Sequence, residues 1–174
     1  MKNNIEVEIC TFSLESCLKA QLAGASRVEL CSGMYDGGTT PSAAMIRMAR
    51  EKLSIQLYVM IRPRGGDFLY SDLEFEVMKE DIRFAKACRA DGVVLGILNA
   101  DGSVDVQRTR ELVELAAPLK VTFHRAIDMT RNMEEALEGI IEAGCYRVLT
   151  SGGRNTVNEG MEQIEALVKQ AGGR

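Results

Sequence analysis

Cys10 and Cys31 close two short runs of the same pattern, Glu6-Val7-Glu8-Ile9-Cys10 and Arg27-Val28-Glu29-Leu30-Cys31, each thiol two residues after a glutamate. Side chains alternate along a strand, so within each run the glutamate and the cysteine share a face. If the runs are neighbouring strands, the thiols stand at equivalent positions one strand spacing apart, ~5 Å. A pair of thiolates at that distance suits a soft, low-coordinate ion such as Cu(I). Two small buried thiols would read the same way in sequence, because cysteine is among the most buried residue types. The chain has five cysteines without a CxxC pair, and a single histidine, which excludes the usual Cys2His2 zinc set and leaves reduced thiols as the expectation. Cys17, Cys88 and Cys145 fall on helical stretches or their ends and read as packing residues.

A second group of residues suits proton transfer and anion binding. Glu8 and Glu29 are candidate acid/base groups. His124 ends the run Lys120-Val121-Thr122-Phe123-His124 on the face of Thr122, where a histidine suits a general base or a metal ligand. The stretch Val59-Met60-Ile61-Arg62-Pro63-Arg64-Gly65-Gly66 ends in two arginines around a proline, followed by a double glycine. Arg62 and Arg64 offer guanidinium forks for carboxylate or phosphate, and the glycines let backbone approach a ligand. The competing reading of Arg62 is an ion pair with Glu8 or Glu29 inside a barrel. Thr150, Ser151, Gly152 and Gly153 make a small polar turn whose hydroxyl and N–H groups suit an anion, without P-loop or dinucleotide spacing. The nine methionines show no MxxM ladder and read as core fillers.

The elements that must position these residues alternate regularly. Short β-rich runs at 6–10, 27–31, 56–62, 92–98, 120–125 and 147–151 interleave with stretches of helical period at 13–23, 42–51, 71–87, 105–115, 133–142 and 156–170. Helix starts are marked by Ser13, Ser42, Ser71 with Glu74 at capping-box spacing, and Asp105. A weak repeat, Ala23-Gly24-Ala25-Ser26-Arg27-Val28 and Ala143-Gly144-Cys145-Tyr146-Arg147-Val148, recurs where a helix gives way to a strand and reads as structural. Unbroken β-α alternation implies a parallel sheet. Strands buried on both faces would be continuously apolar, whereas these alternate polar and apolar, which points to a (β/α) TIM-type barrel with chemistry at the C-terminal ends of its strands. Six units of roughly 29 residues are about two short of the usual eight, so the expectation is one barrel domain over 1–174, incomplete at its C-terminus.

Composition narrows the function classes. Twenty-one basic against 25 acidic side chains give a net charge of -4, without the basic surplus that phosphate-backbone binding needs, so nucleic acid is not an expected partner. No apolar run is long enough for a bilayer and the N-terminus lacks a signal-peptide core, so a soluble cytoplasmic protein is expected.

Several blocks resemble the CutC family, named for copper homeostasis: Val28-Glu29-Leu30-Cys31-Ser32, Gly37-Gly38-Thr39-Thr40-Pro41-Ser42, Met60 to Phe68, Thr122-Phe123-His124-Arg125-Ala126 with Asp128-Met129, and Leu149-Thr150-Ser151-Gly152-Gly153. The resemblance covers essentially the whole chain. It implies a (β/α) barrel, a cytoplasmic location, a Cu(I) site falling on Cys10 and Cys31, and a homo-oligomer; family members are usually longer. Two functions follow. The first is copper homeostasis through Cu(I) held by the strand-end cysteines. The second is an isomerase, lyase or hydrolase acting on a small anionic metabolite held by Arg62, Arg64 and the Thr150, Ser151, Gly152, Gly153 turn, with Glu8, Glu29 or His124 moving a proton.

Overall fold

The computed structural model describes residues 5–174, in which six strands alternate with six helices. The strands are β1 (Glu8–Thr11), β2 (Arg27–Leu30), β3 (Gln56–Met60), β4 (Gly92–Leu95), β5 (Lys120–Phe123) and β6 (Arg147–Val148). The helices are α1 (Leu14–Leu22), α2 (Ala43–Lys52), α3 (Asp72–Ala87), α4 (Val106–Ala116), α5 (Met133–Glu142) and α6 (Met161–Ala171). The strands follow one another in the order β1-β2-β3-β4-β5-β6, and β1/β2, β2/β3, β3/β4 and β5/β6 pair in parallel. This is α/β architecture of the (β/α) TIM-barrel type, with six βα units.

The helix starts marked in the sequence are all used. Ser13 and Ser16 cap α1 reciprocally, Ser42 Oγ accepts from Met45 N, and Asp105 caps α4 through Arg108 N. Ser71 and Glu74 close the capping box ahead of α3: Ser71 N donates to Glu74 Oε2 at 2.8 Å and Glu74 N to Ser71 Oγ at 3.2 Å. The last helix starts five residues later than its periodicity predicts. A Cβ on Gly160 would sit 1.9 Å from the Ser151 carbonyl oxygen, so backbone meets backbone there and regular helix begins only at Met161.

The chain divides into two compact units, one holding residues up to Gly66 with Glu76–Val94, the other Asp67–Phe75 with Leu95–Arg174. In the first, Val28, Leu30, Leu57, Tyr58, Val59, Val93 and Val94 are wholly buried along the strands, with Ile46, Ala49, Met78 and Ile82 buried from α2 and α3. In the second, Phe123, Ala126, Ile127, Ala136 and Ile140 form the core with Leu98 and Val104. From β2 onward the strands end earlier than the sequence pattern suggests, so Arg62, His124 and Ser151 lie just past β3, β5 and β6. There the backbone turns into loops and side chains meet loop groups instead of the next strand. β1 and the residue before it are less covered than the alternation implies, with Val7 46% and Ile9 40% exposed.

Candidate metal centre and neighbouring polar sites

Cys10, Glu29 and Cys31 are brought together in the first unit, with one donor atom from each within 4.8 Å of the others. Their placement differs from the sequence expectation in one respect. The β1/β2 register sets Cys10 beside Glu29, not beside Cys31. Cys31 lies two residues further along, so the thiols are diagonal neighbours, and the shared face brings them together: Cys10 Sγ and Cys31 Sγ are 3.8 Å apart. Cys31 is wholly buried whereas Cys10 is exposed. The Cys31 thiol donates to Glu29 Oε1 at 3.5 Å, and the second carboxylate oxygen of Glu29, also buried, accepts no hydrogen bond from any described residue.

Protonation follows from this geometry. Contact with Cys10 and burial both push the Cys31 thiol up from its ordinary range, with the Glu29 charge adding to them. Burial raises the Glu29 carboxyl, the nearby Glu8 charge raises it further, and hydrogen bonds from the two thiols offset part of the rise. Both shifts favour the proton-bound forms of Cys31 and Glu29 relative to the same groups in water. The spacing fits a thiolate-bound ion: two metal–sulfur bonds of about 2.3 Å, the zinc–thiolate length, meeting at an angle between tetrahedral and trigonal span about 3.8–4.0 Å, which is the sulfur separation found. Glu8 is engaged elsewhere, in an ion pair with the buried Arg27, which also reaches Glu6 at 3.1 Å and lies over the Tyr58 ring.

Arg62 points its guanidinium at backbone. Nη1 donates to the carbonyls of Asp36 at 2.6 Å and Gly38 at 2.9 Å, and Nη2 to that of Gly66 at 2.8 Å. It thereby ties the loop after β2 to the loop after β3. The Ser32 and Thr39 backbones pair at the base of the first loop, and Thr40 N donates to the Arg62 carbonyl. Arg64 Nη1 donates to the adjacent Gly65 carbonyl.

In the second unit, the turn after β6 is built around an internal carboxylate. Asp128, its side chain 5% exposed, accepts from Ser151 N, Ser151 Oγ, Gly153 N, Thr150 Oγ1 and Arg125 Nε. Gly152 N donates to Thr150 Oγ1 at 2.9 Å. Burial pushes the Asp128 carboxyl up, but the hydrogen bonds from Thr150, Arg125, Gly153 and Ser151 outweigh it and hold the group below the usual aspartate range. Of the turn's N–H groups, those of Ser151 and Gly153 donate to this carboxylate of the chain itself. His124 is buried on the Phe68 ring at 4.9 Å, with Nδ1 accepting from Ala126 N at 3.2 Å. A Cβ on Gly96 would come within 2.6 Å of the imidazole, so only glycine leaves room for the ring.

Comparison with known proteins adds a family to this geometry. The model of the CutC family matches residues 5–174. The chain belongs to the CutC family. It is 55% identical over 168 residues to a CutC family protein of Chromobacterium violaceum, covering 97% of this chain and 68% of that one. It is 49% identical over 172 residues to the human copper homeostasis protein cutC homolog, covering 99% of this chain and 63% of the human one, so it spans just under two thirds of that relative. Among solved structures, the CutC of Streptococcus agalactiae superposes with a TM-score of 0.91 at 36% identity, covering 97% of this chain and 83% of that chain.

Sequence reasoning about this CutC-family chain missed Asp128, whose role depends on a turn 22 residues away. The available signal was positional: an acid just past β5, in the block Thr122-Phe123-His124-Arg125-Ala126 with Asp128, is placed at a barrel mouth as surely as the residues after β6. Among the described residues, no helix is long and apolar enough to cross a membrane.

Proposed function

We propose that this chain binds Cu(I) through Cys10 and Cys31 and serves copper homeostasis. The observation that carries the reading is the 3.8 Å sulfur pair, one thiol exposed and one buried, with a buried carboxylate against it. The names of the human and mouse relatives support the copper assignment. Soft thiolates select Cu(I) over harder ions, and the ion gains a low-coordinate seat. Cys10 is the accessible first ligand. Cys31 must lose its proton from Sγ to bind, and Glu29 Oε1, which already accepts that S–H, is placed to take it. The reading needs reduced thiols and puts the protein in the cytoplasm. Ile9, exposed on β1, and Val7 just before it support association of copies through that edge.

An anaerobic Cu(I) competition titration under reducing conditions, on the wild type and on Cys10→Ser/Cys31→Ser with folding checked by circular dichroism, tests this. Tight stoichiometric binding lost in the double variant is the expected result. Equal binding by the folded double variant overturns the proposal.

A further inference from the structure

The register that places Cys10 beside Glu29 continues through β2 and β3, where Leu30 pairs with Val59. Met60 is the next residue of β3 and Cys31 directly follows β2, so the register extended by one residue sets these two side by side. They belong to a single buried cluster with Tyr58 and Val94, against which Phe12 packs, and Met60 is 4% exposed. The loop after β2 closes over both. A Cβ on Gly38 would lie 3.3 Å from Cys31 Sγ and 3.6 Å from Met60 Cε, and at φ +98 that position already favours glycine. The Met60 methyl, one bond from its sulfur, and the Cys31 sulfur thus both lie beside the Gly38 backbone atom that would carry a side chain. Arg62 fixes that atom by holding the Gly38 carbonyl.

We infer that Met60 supplies a third sulfur to the Cys10/Cys31 site, making it a thiolate–thiolate–thioether seat roofed by Gly38. This rests on the Cu(I) reading of the thiol pair and adds the basis of its selectivity. A thioether is a neutral, polarisable donor that needs no deprotonation, so it strengthens binding of a soft monovalent ion without adding charge. A borderline divalent ion such as Zn(II) is better served by Glu29, whose second oxygen is available within the same cluster. Methionine has three side-chain rotors, so Sδ can turn toward the thiols without backbone movement.

The test uses the full chain loaded anaerobically with Cu(I). Selenomethionine labelling leaves the sequence unaltered, and copper X-ray absorption should then show a copper–selenium shell that Met60→Leu, a swap of similar volume, removes. In competition titrations Met60→Leu should lower Cu(I) affinity by about tenfold or more and leave Zn(II) affinity unchanged. Absence of the copper–selenium shell in the labelled wild-type sequence overturns the assignment, as does unchanged Cu(I) affinity in the folded leucine variant. The two readings fail separately. Binding that survives Cys10→Ser/Cys31→Ser removes the thiol site itself, whereas binding lost there but untouched by Met60→Leu removes only the methionine.

Discussion

Cys10 and Cys31 bring their sulfurs to 3.8 Å from diagonal positions on adjacent strands, Cys10 being level with Glu29. One strand across and two residues along puts their Cα atoms about 8 Å apart. A disulfide needs about 4.4–6.8 Å, so the pair is spaced to share an ion but not to join covalently without backbone movement. The metal-free protein should therefore keep both thiols in a glutathione redox buffer that oxidises well-placed dithiols. Alkylation with mass spectrometry checks this; a Cys10–Cys31 linked peptide formed in native buffer would contradict it.

Glu29 gives a pH dependence with a definite sign. Its carboxyl is raised in the fold by burial first and by Glu8 second. Below the unfolded-state value, near 4.3, both states hold the proton and its stability contribution is fully present; it is lost as pH rises toward the folded value. Each unit of elevation corresponds to about 1.4 kcal/mol at pH above both values. Glu29→Gln should raise the melting temperature of the metal-free protein at pH 8, with the gain shrinking toward pH 5. Thermal melts at the two pH values measure it, and a gain equal at both would refute the linkage.

The opposite sign holds for Asp128. Burial works against its charge, but the hydrogen bonds of Thr150, Arg125, Gly153 and Ser151 win and lower the carboxyl. Its contribution is present above the unfolded value, about 3.9, and is lost as pH falls through the folded one. Asp128→Asn turns an NH2 toward groups that are themselves donors, and should cost about 2–4 kcal/mol at pH 7. Urea unfolding should show that loss at neutral pH and a narrower gap below pH 4. An unchanged midpoint at pH 7 would mean the turn does not depend on the carboxylate.

Gly96→Ala tests the packing around His124. A methyl 2.6 Å from the ring forces the imidazole off Phe68 or shifts the backbone beside it. Overpacking of this kind costs about 1–3 kcal/mol. The His124 ring resonances, unique in the chain, should move in the proton NMR spectrum. A variant with wild-type stability and unmoved resonances would show that the site yields easily.

Much of this protein was determined by its sequence alone. The β-α alternation, the caps at Ser13, Ser42, Ser71 and Asp105, and the parity that puts Glu29 and Cys31 on one face all follow from local propensity and from side-chain direction along a strand, which need no distant partner. Tertiary structure decided everything that depends on register or on a loop far away in the chain. The diagonal offset of Cys10 and Cys31 is set by how β1 and β2 slide past each other, and a run of alternating residues is compatible with more than one such offset. Arg62 and the turn at Thr150 announced anion chemistry by type, yet one is directed to the carbonyls of Asp36, Gly38 and Gly66 and the other to Asp128. Those partners lie on other loops, and a buried charge or N–H group binds whichever complementary atom the fold brings within reach, a choice that residue type and spacing do not encode.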